Sequence, residues 1–174
     1  MAMTFSLQDN ELSLRALEPS DLHWLYDVEN ETALWQVSDT LTPFSSALLA
    51  HYIENAQRDI YTEKQLRLVI QLPTEPIGII DLFEFSPKHH RAMVGIVVLP
   101  DYRQKGYARR ALTLLAAYAK NGLDCHQLAA SITADNTEGR RLFESVGFKL
   151  SGVRSDWVFR NPNYEDEYFY QMIL

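Results

Sequence analysis

The chain has 174 residues, 47% apolar and 22% charged, with a formal net charge of −7. That size suits one globular domain with no need of a metal or disulfide staple, and the acidic balance argues against a general nucleic-acid binder while suiting a cationic substrate. Cys125 is the only cysteine, which excludes an intrachain disulfide, and Met1 to Asp9 holds neither a basic nor a long apolar segment. The expectation is therefore no signal peptide, no membrane span and a place in the cytoplasm.

Leu12, Leu14 and Ala16 alternate and predict a first strand over 11–16. Pro19-Ser20-Asp21 opens a helix with Leu22, Leu25, Tyr26 and Glu29 at helical spacing. Residues 31–43 read as irregular, and Ser45 caps a second helix to about Arg58. Strands follow over 65–72, 77–85 and 90–99, the last nearly all apolar, as a central strand would be. A helix after Gly106 carries Ala108, Ala111, Leu112, Leu115 and Ala119 on one stripe, with Gly122 as a left-handed cap. Then come a strand over 127–133, a short helix over 136–146 and two closing strands over 148–159 and 167–174. This order predicts an α/β fold: a mixed sheet of six to seven strands with about four flanking helices.

The passage from Val94 to Ala111 carries the most chemistry. An apolar run stops at Pro100, a polar turn holds Arg103, Gln104, Lys105 and Gly106, and a helix begins near Tyr107. The first N–H groups of a helix lack intrahelical partners and lie at the positive end of its dipole. A glycine there lets a phosphate approach the backbone. Strand, cationic turn and helix start together describe a pyrophosphate pocket.

Arg103-x-x-Gly106-x-Ala108 resembles motif A of the GNAT family of N-acetyltransferases, Gln/Arg-x-x-Gly-x-Gly/Ala. Asn136-Thr-Glu-Gly139…Phe143…Gly147-Phe148 is similar to its motif B, and Leu14-Arg15-x-Leu17-x-x-x-Asp21-Leu22 looks like the family's start. The resemblance implies a sheet splayed at the acetyl-CoA site, with acetyl-CoA as cosubstrate. It implies cofactor contacts from the exposed strand at Ile96, Val97 and Val98. It also implies contacts from the turn and helix start at Arg103, Gln104, Lys105, Gly106, Tyr107, Ala108 and Arg109, and from Asn136, Arg140 and Phe143. Arg110 and Arg141 fall to solvent or to the rim of the 3′-phosphate.

Within that family, Ile77-Gly-Ile-Ile-Asp-Leu-Phe-Glu84…His90-Arg91 and Gly147-Phe148…Gly152 are similar both to spermidine/diamine N-acetyltransferases and to ribosomal-protein N-terminal alanine acetyltransferases. The implied acceptor is a small cationic amine, a polyamine first, or a peptide N-terminus. An acetyl-CoA-binding module with little catalysis stands as a reading of another class.

Acetyl transfer to an amine needs a neutral nucleophile, so a carboxylate must take its proton. Asp81 and Glu84 are the candidates, Glu84 preferred by its match to an amine-side carboxylate of the polyamine enzymes. Three residues apart on an ideal strand, they face opposite sides, so both reach one site only if a bulge intervenes. His89 and His90 read as turn residues. Phe143 stands where many relatives place a proton-donating tyrosine, which leaves water, the amine's own proton, Tyr102 or Tyr107 to protonate the thiolate.

Trp24, Trp35, Tyr26, Phe44 and Tyr52 lie in the segment that forms a substrate wall in relatives, with Asp27, Glu29, Glu31 and Asp39 nearby. The aromatic residues of the closing strands, from Trp157 to Tyr170, suit an interface between copies of the chain.

Overall fold

The apolar run before Pro100 forms the middle of an eight-stranded sheet. The computed structural model describes residues 5–38, 40–56 and 58–174; Asp39 lies outside them. In chain order the elements are β1 (Gln8–Asp9), β2 (Leu12–Ala16), α1 (Leu22–Glu29), α2 (Thr32–Ser38), α3 (Ser46–Asn55), α4 (Ile60–Glu63), β3 (Leu66–Gln71), β4 (Pro76–Ser86), β5 (Arg91–Val98), α5 (Tyr107–Leu123), β6 (Gln127–Thr133), α6 (Thr137–Val146), β7 (Lys149–Arg160) and β8 (Asn163–Ile173). The strand order is β1-β2-β3-β4-β5-β6-β8-β7. Among the described residues β5 and β6 are the one parallel pair, joined by the α5 crossover that such a pair requires.

Alternation along the strands divides the apolar side chains between two faces. Leu68, Ile70, Ile80, Leu82, Val94 and Val98 pack under α5 and α6. Val69 and Ile79 pack under α1 and α3, against Leu25, Val28, Leu49 and Ile53. The predicted α5 stripe is real: Ala111, Leu112, Leu115 and Ala119 are buried.

The mixed α/β architecture is as expected, and the differences are local. β1 has two residues and carries no alternation to read. α2 forms where irregular chain is expected; Glu31 accepts from the Ala33 N–H at 3.1 Å, and Leu34 is buried. Ser45 does cap α3, accepting from Leu48 N at 3.1 Å. Gly122 is not the cap of α5. The helix runs to Leu123, and Asp124 takes the left-handed conformation at φ 54°.

Asp21 is a buried charge that fixes the entry to α1. Arg15 on β2 donates to its two oxygens at 2.7 and 2.8 Å, and the Glu18 N–H donates at 2.8 Å. Burial alone would raise the Asp21 carboxyl, but these donors outweigh it and hold the carboxyl below its ordinary value. A carboxyl so lowered stabilises the fold above its unfolded pKa, near 3.8, and loses that contribution as pH falls through the folded value. Asp21→Asn is expected to cost about 2–3 kcal/mol at pH 7. In thermal melts the gap to the wild type narrows towards pH 3. An unchanged gap over that range would show that the charge on Asp21 is not the source of the cost.

Candidate functional site

The sheet is open beside its central strand. β5 pairs with β4 along its length, to Gly78↔Val98, but with β6 only over Arg91–Met93. Beyond Met93 the two parallel strands part. The Leu99 N–H donates to the Ile77 carbonyl at 2.9 Å, so alternation turns the backbone groups of Val97 to β4 and those of Ile96 and Val98 into the gap. Ile96 and Val98 therefore offer backbone bonding groups to a ligand, whereas those of Val97 are spent on Ile79. Ile96 and Val97 both border the cavity described below.

At the far end of β5 the chain makes a 3-10 turn over Pro100–Tyr102 and enters α5 through two left-handed residues, Gln104 at φ 58° and Gly106 at φ 83°. No side chain caps α5, and its first internal bond is Arg110 N to Gly106 O, at 3.2 Å. The N–H groups of Tyr107, Ala108 and Arg109 are left at the positive helix end. Arg103, Gln104, Lys105 and Arg109 are exposed around them. Arg110 is not available there: Asp9 and Glu11 hold its guanidinium, both at 2.7 Å.

Across the gap, Asn136 caps α6 by accepting from Gly139 N at 2.8 Å. A Cβ on Gly139 would come within 2.7 Å of that amide, so a larger residue there would have to displace the end of the Asn136 side chain. Gln104 reaches Glu138 at 3.4 Å, linking the turn to the start of α6. Arg140 lies over the Tyr168 ring at 4.8 Å. Phe143 points into the core, 5% exposed, edge-on to Phe148 at 4.9 Å. Its side chain is in packing position. Phe143→Tyr is expected to bury a hydroxyl without a partner, cost about 1–2 kcal/mol and bring no gain in turnover. Denaturant melts and initial rates check this, and a gain in kcat would contradict it.

A cavity of about 760 Å³ opens on the α1–α2 side of the same strands. Asp81 and Glu84 both line it. The condition for that is met by a bulge in β4: the register shifts between Phe83 and Ser86, and Glu84 sits at φ 48°. The left-handed conformation costs a non-glycine residue about 1–2 kcal/mol. It turns Glu84 to the face it would otherwise leave.

The two carboxylates differ in what they are free to do. Arg67 on β3 grips Asp81 at 2.8 and 3.1 Å and also binds Glu29 of α1. The guanidinium lies 5.4 Å from the Tyr52 ring centre. Burial works against the charge on Arg67, yet Asp81 and Glu29 hold it protonated, with its pKa above the ordinary arginine value. This trio carries one surplus negative charge. Glu84 is exposed to the cavity and, among the described residues, outside every such pair.

Trp35 also lines the cavity, its indole N–H donating to the Glu29 carbonyl at 2.9 Å. Arg154 and Glu167, paired at 2.6 Å, close the far side with exposed Arg91. Sequence reasoning missed Arg67, Arg154 and Glu167. Only Arg67 carried a signal: a charge within Leu66–Gln71, where Leu68, Val69 and Ile70 bury both strand faces.

Trp24, Phe44 and Tyr52 pack against the second core, and His23 pairs with Asp27. Neither His89 nor His90 lines the cavity; His90 Nδ1 lies 2.7 Å from the Asp124 carbonyl oxygen. Tyr102 and Tyr107 also lie outside the cavity lining, beneath Lys105 and Arg110. A hydrogen bond with Glu75 raises the Tyr102 phenol above its ordinary value. No helix among the described residues is long and apolar enough to cross a membrane.

The spermidine N(1)-acetyltransferase of Vibrio cholerae serotype O1 is 24% identical over 163 residues, spanning 91% of this chain and 90% of that one. A crystal structure of the V. cholerae spermidine N-acetyltransferase in complex with CoA and spermine superposes with a TM-score of 0.85 at 23% identity, covering 95% of this chain and 96% of the other. A dodecameric structure of that enzyme in an intermediate state gives 0.78 at 24% identity and covers 95% of each chain. Residues 11–149 match the family model for the acetyltransferase (GNAT) domain. The chain therefore belongs to the GNAT family of N-acetyltransferases, whose acetyl donor is acetyl-CoA.

Proposed function

We propose that this enzyme acetylates a primary amine of a small polyamine or diamine such as spermidine. The observation that carries the reading is the unpaired Glu84 carboxylate, turned by the β4 bulge into a cavity that borders the open edge of β5. The surplus negative charge of Glu29, Arg67 and Asp81 and the indole of Trp35 add attraction for a second positive group. The likeness to spermidine N(1)-acetyltransferase points the same way.

Acetyl-CoA lies along the β5 edge, with its pyrophosphate on the turn from Arg103 to Gly106 and the first N–H groups of α5. Asn136 and Arg140 stand on the opposite bank. When bound, acetyl-CoA supplies the thioester. Glu84, directly or through water, takes the proton of the ammonium, and Asp81 stays an ion-pair partner that holds Arg67. The neutral amine then bonds to the acetyl carbon as the carbon–sulfur bond breaks. Water carries the proton that the acylated nitrogen sheds to the sulfur, since Phe143 has no proton to give and the cavity lining, among the described residues, holds no tyrosine.

Residues 1–174 act in this reading as one catalytic unit in the cytoplasm. Copies associate through β7 and β8, where Trp157, Phe159 and Tyr164 are 57–60% exposed. Thiol release from acetyl-CoA against spermidine, spermine, putrescine and peptides with free Ala or Ser N-termini tests the acceptor. Turnover on the polyamines is expected. Turnover on peptides alone would move the assignment to protein N-termini, and CoA binding without turnover on any of them would favour a binding module.

A further inference from the structure

The Arg103 side chain does more than add positive charge to the turn. Val98 is buried and its carbonyl faces the gap where β5 has no strand neighbour. A buried carbonyl without a partner is costly. Arg103 Nε supplies the partner, donating to Val98 O at 2.9 Å. That bond closes the last acceptor of the open edge. The Val98 N–H and both groups of Ile96 remain as bonding positions in the gap.

We propose that Arg103 is a positioning residue that sets the register of acetyl-CoA on β5 by occupying the Val98 carbonyl. The inference rests on acetyl-CoA lying along β5, but not on which amine accepts the acetyl group. With Val98 O closed, the amide-bearing arm of the ligand pairs with Val98 N–H and Ile96. With it open, the arm can slip by one strand repeat, roughly 6.7 Å. Such a slip carries the thioester away from Glu84. The distal guanidinium nitrogens, next to Lys105 and the start of α5, stay free for a phosphate oxygen.

The side chain thus has two separable functions, a planar N–H donor for the strand and a charge for the phosphate. Arg103→Gln keeps a donor and loses the charge. Arg103→Met keeps the length and loses both. Loss of the charge is expected to weaken CoA binding, read by calorimetry, by about fivefold in both variants. The acetyl-transfer kcat is expected to separate them, about tenfold or more lower for Arg103→Met than for Arg103→Gln.

Equal kcat in the two variants, with CoA binding weakened in both, would overturn the register role and leave the ligand's placement standing. CoA affinity unchanged in both would overturn the placement as well. Thermal melts keep folding apart from the rate: Arg103→Gln, which keeps a donor for Val98 O, is expected to hold the midpoint, and both variants are assayed well below the lower midpoint expected of Arg103→Met.

Discussion

Glu84→Gln is expected to lower the kcat for acetyl transfer about 100-fold, while CoA binds as before. The substitution keeps the size and hydrogen-bonding reach of the side chain and removes its ability to hold a proton. Asp81→Asn serves as the contrast. It strips Arg67 of a partner gripped at 2.8 and 3.1 Å and leaves the guanidinium with Glu29 alone, so its first effect is on stability. Initial rates at saturating amine, set beside denaturant midpoints, distinguish the two. Should Glu84→Gln turn over like the wild type while Asp81→Asn loses rate without losing stability, the roles of the two carboxylates would have to be exchanged.

Gly78→Ala is expected to destabilise the fold by about 3 kcal/mol. A Cβ there would meet the Val97 carbonyl oxygen at 2.3 Å and Val98 Cα at 3.1 Å. Both are backbone atoms of the strand that forms the open edge, so relief requires β4 and β5 to move apart. The same displacement shifts Ile96 and Val98, so CoA affinity should fall with stability. Gly152→Ala is the control, since nothing lies within 4 Å of its added methyl group. Chemical denaturation of both variants checks the difference, and equal midpoints would contradict it.

Much of this arrangement is legible in the chain because local rules and the global fold agree. The apolar alternation of β2, the apolar runs of β3 and β4, the α5 stripe, the Ser45 cap and the glycine turn at Gly106 each follow from nearest-neighbour chemistry. The bulge in β4 is legible only as a condition. Asp81 and Glu84 could share a face if one residue were left unpaired, and nothing in the residues between them says that it is. The bulge depends on pairing across to Met93 and Arg91, a long-range choice.

The grip of Arg67 on Asp81 and Glu29 is hidden for the same reason. Its three members come from β3, β4 and α1, and no spacing links them. Arg110 shows the opposite error. Its place beside motif A suggests a phosphate contact or a free surface charge, but Asp9 and Glu11, about a hundred positions earlier, already hold it.

Acetyl-CoA lying in the gap between β5 and β6 is the placement on which Glu84, Arg103 and the start of α5 all depend. Backbone amide hydrogen exchange with and without saturating CoA measures it most directly. The amides of Ile96 and Val98, which have no strand partner on the β6 side, and those of Tyr107, Ala108 and Arg109 are expected to slow by about tenfold or more. Protection confined to other parts of the sheet, with residues 94–98 exchanging as they do without CoA, would contradict it.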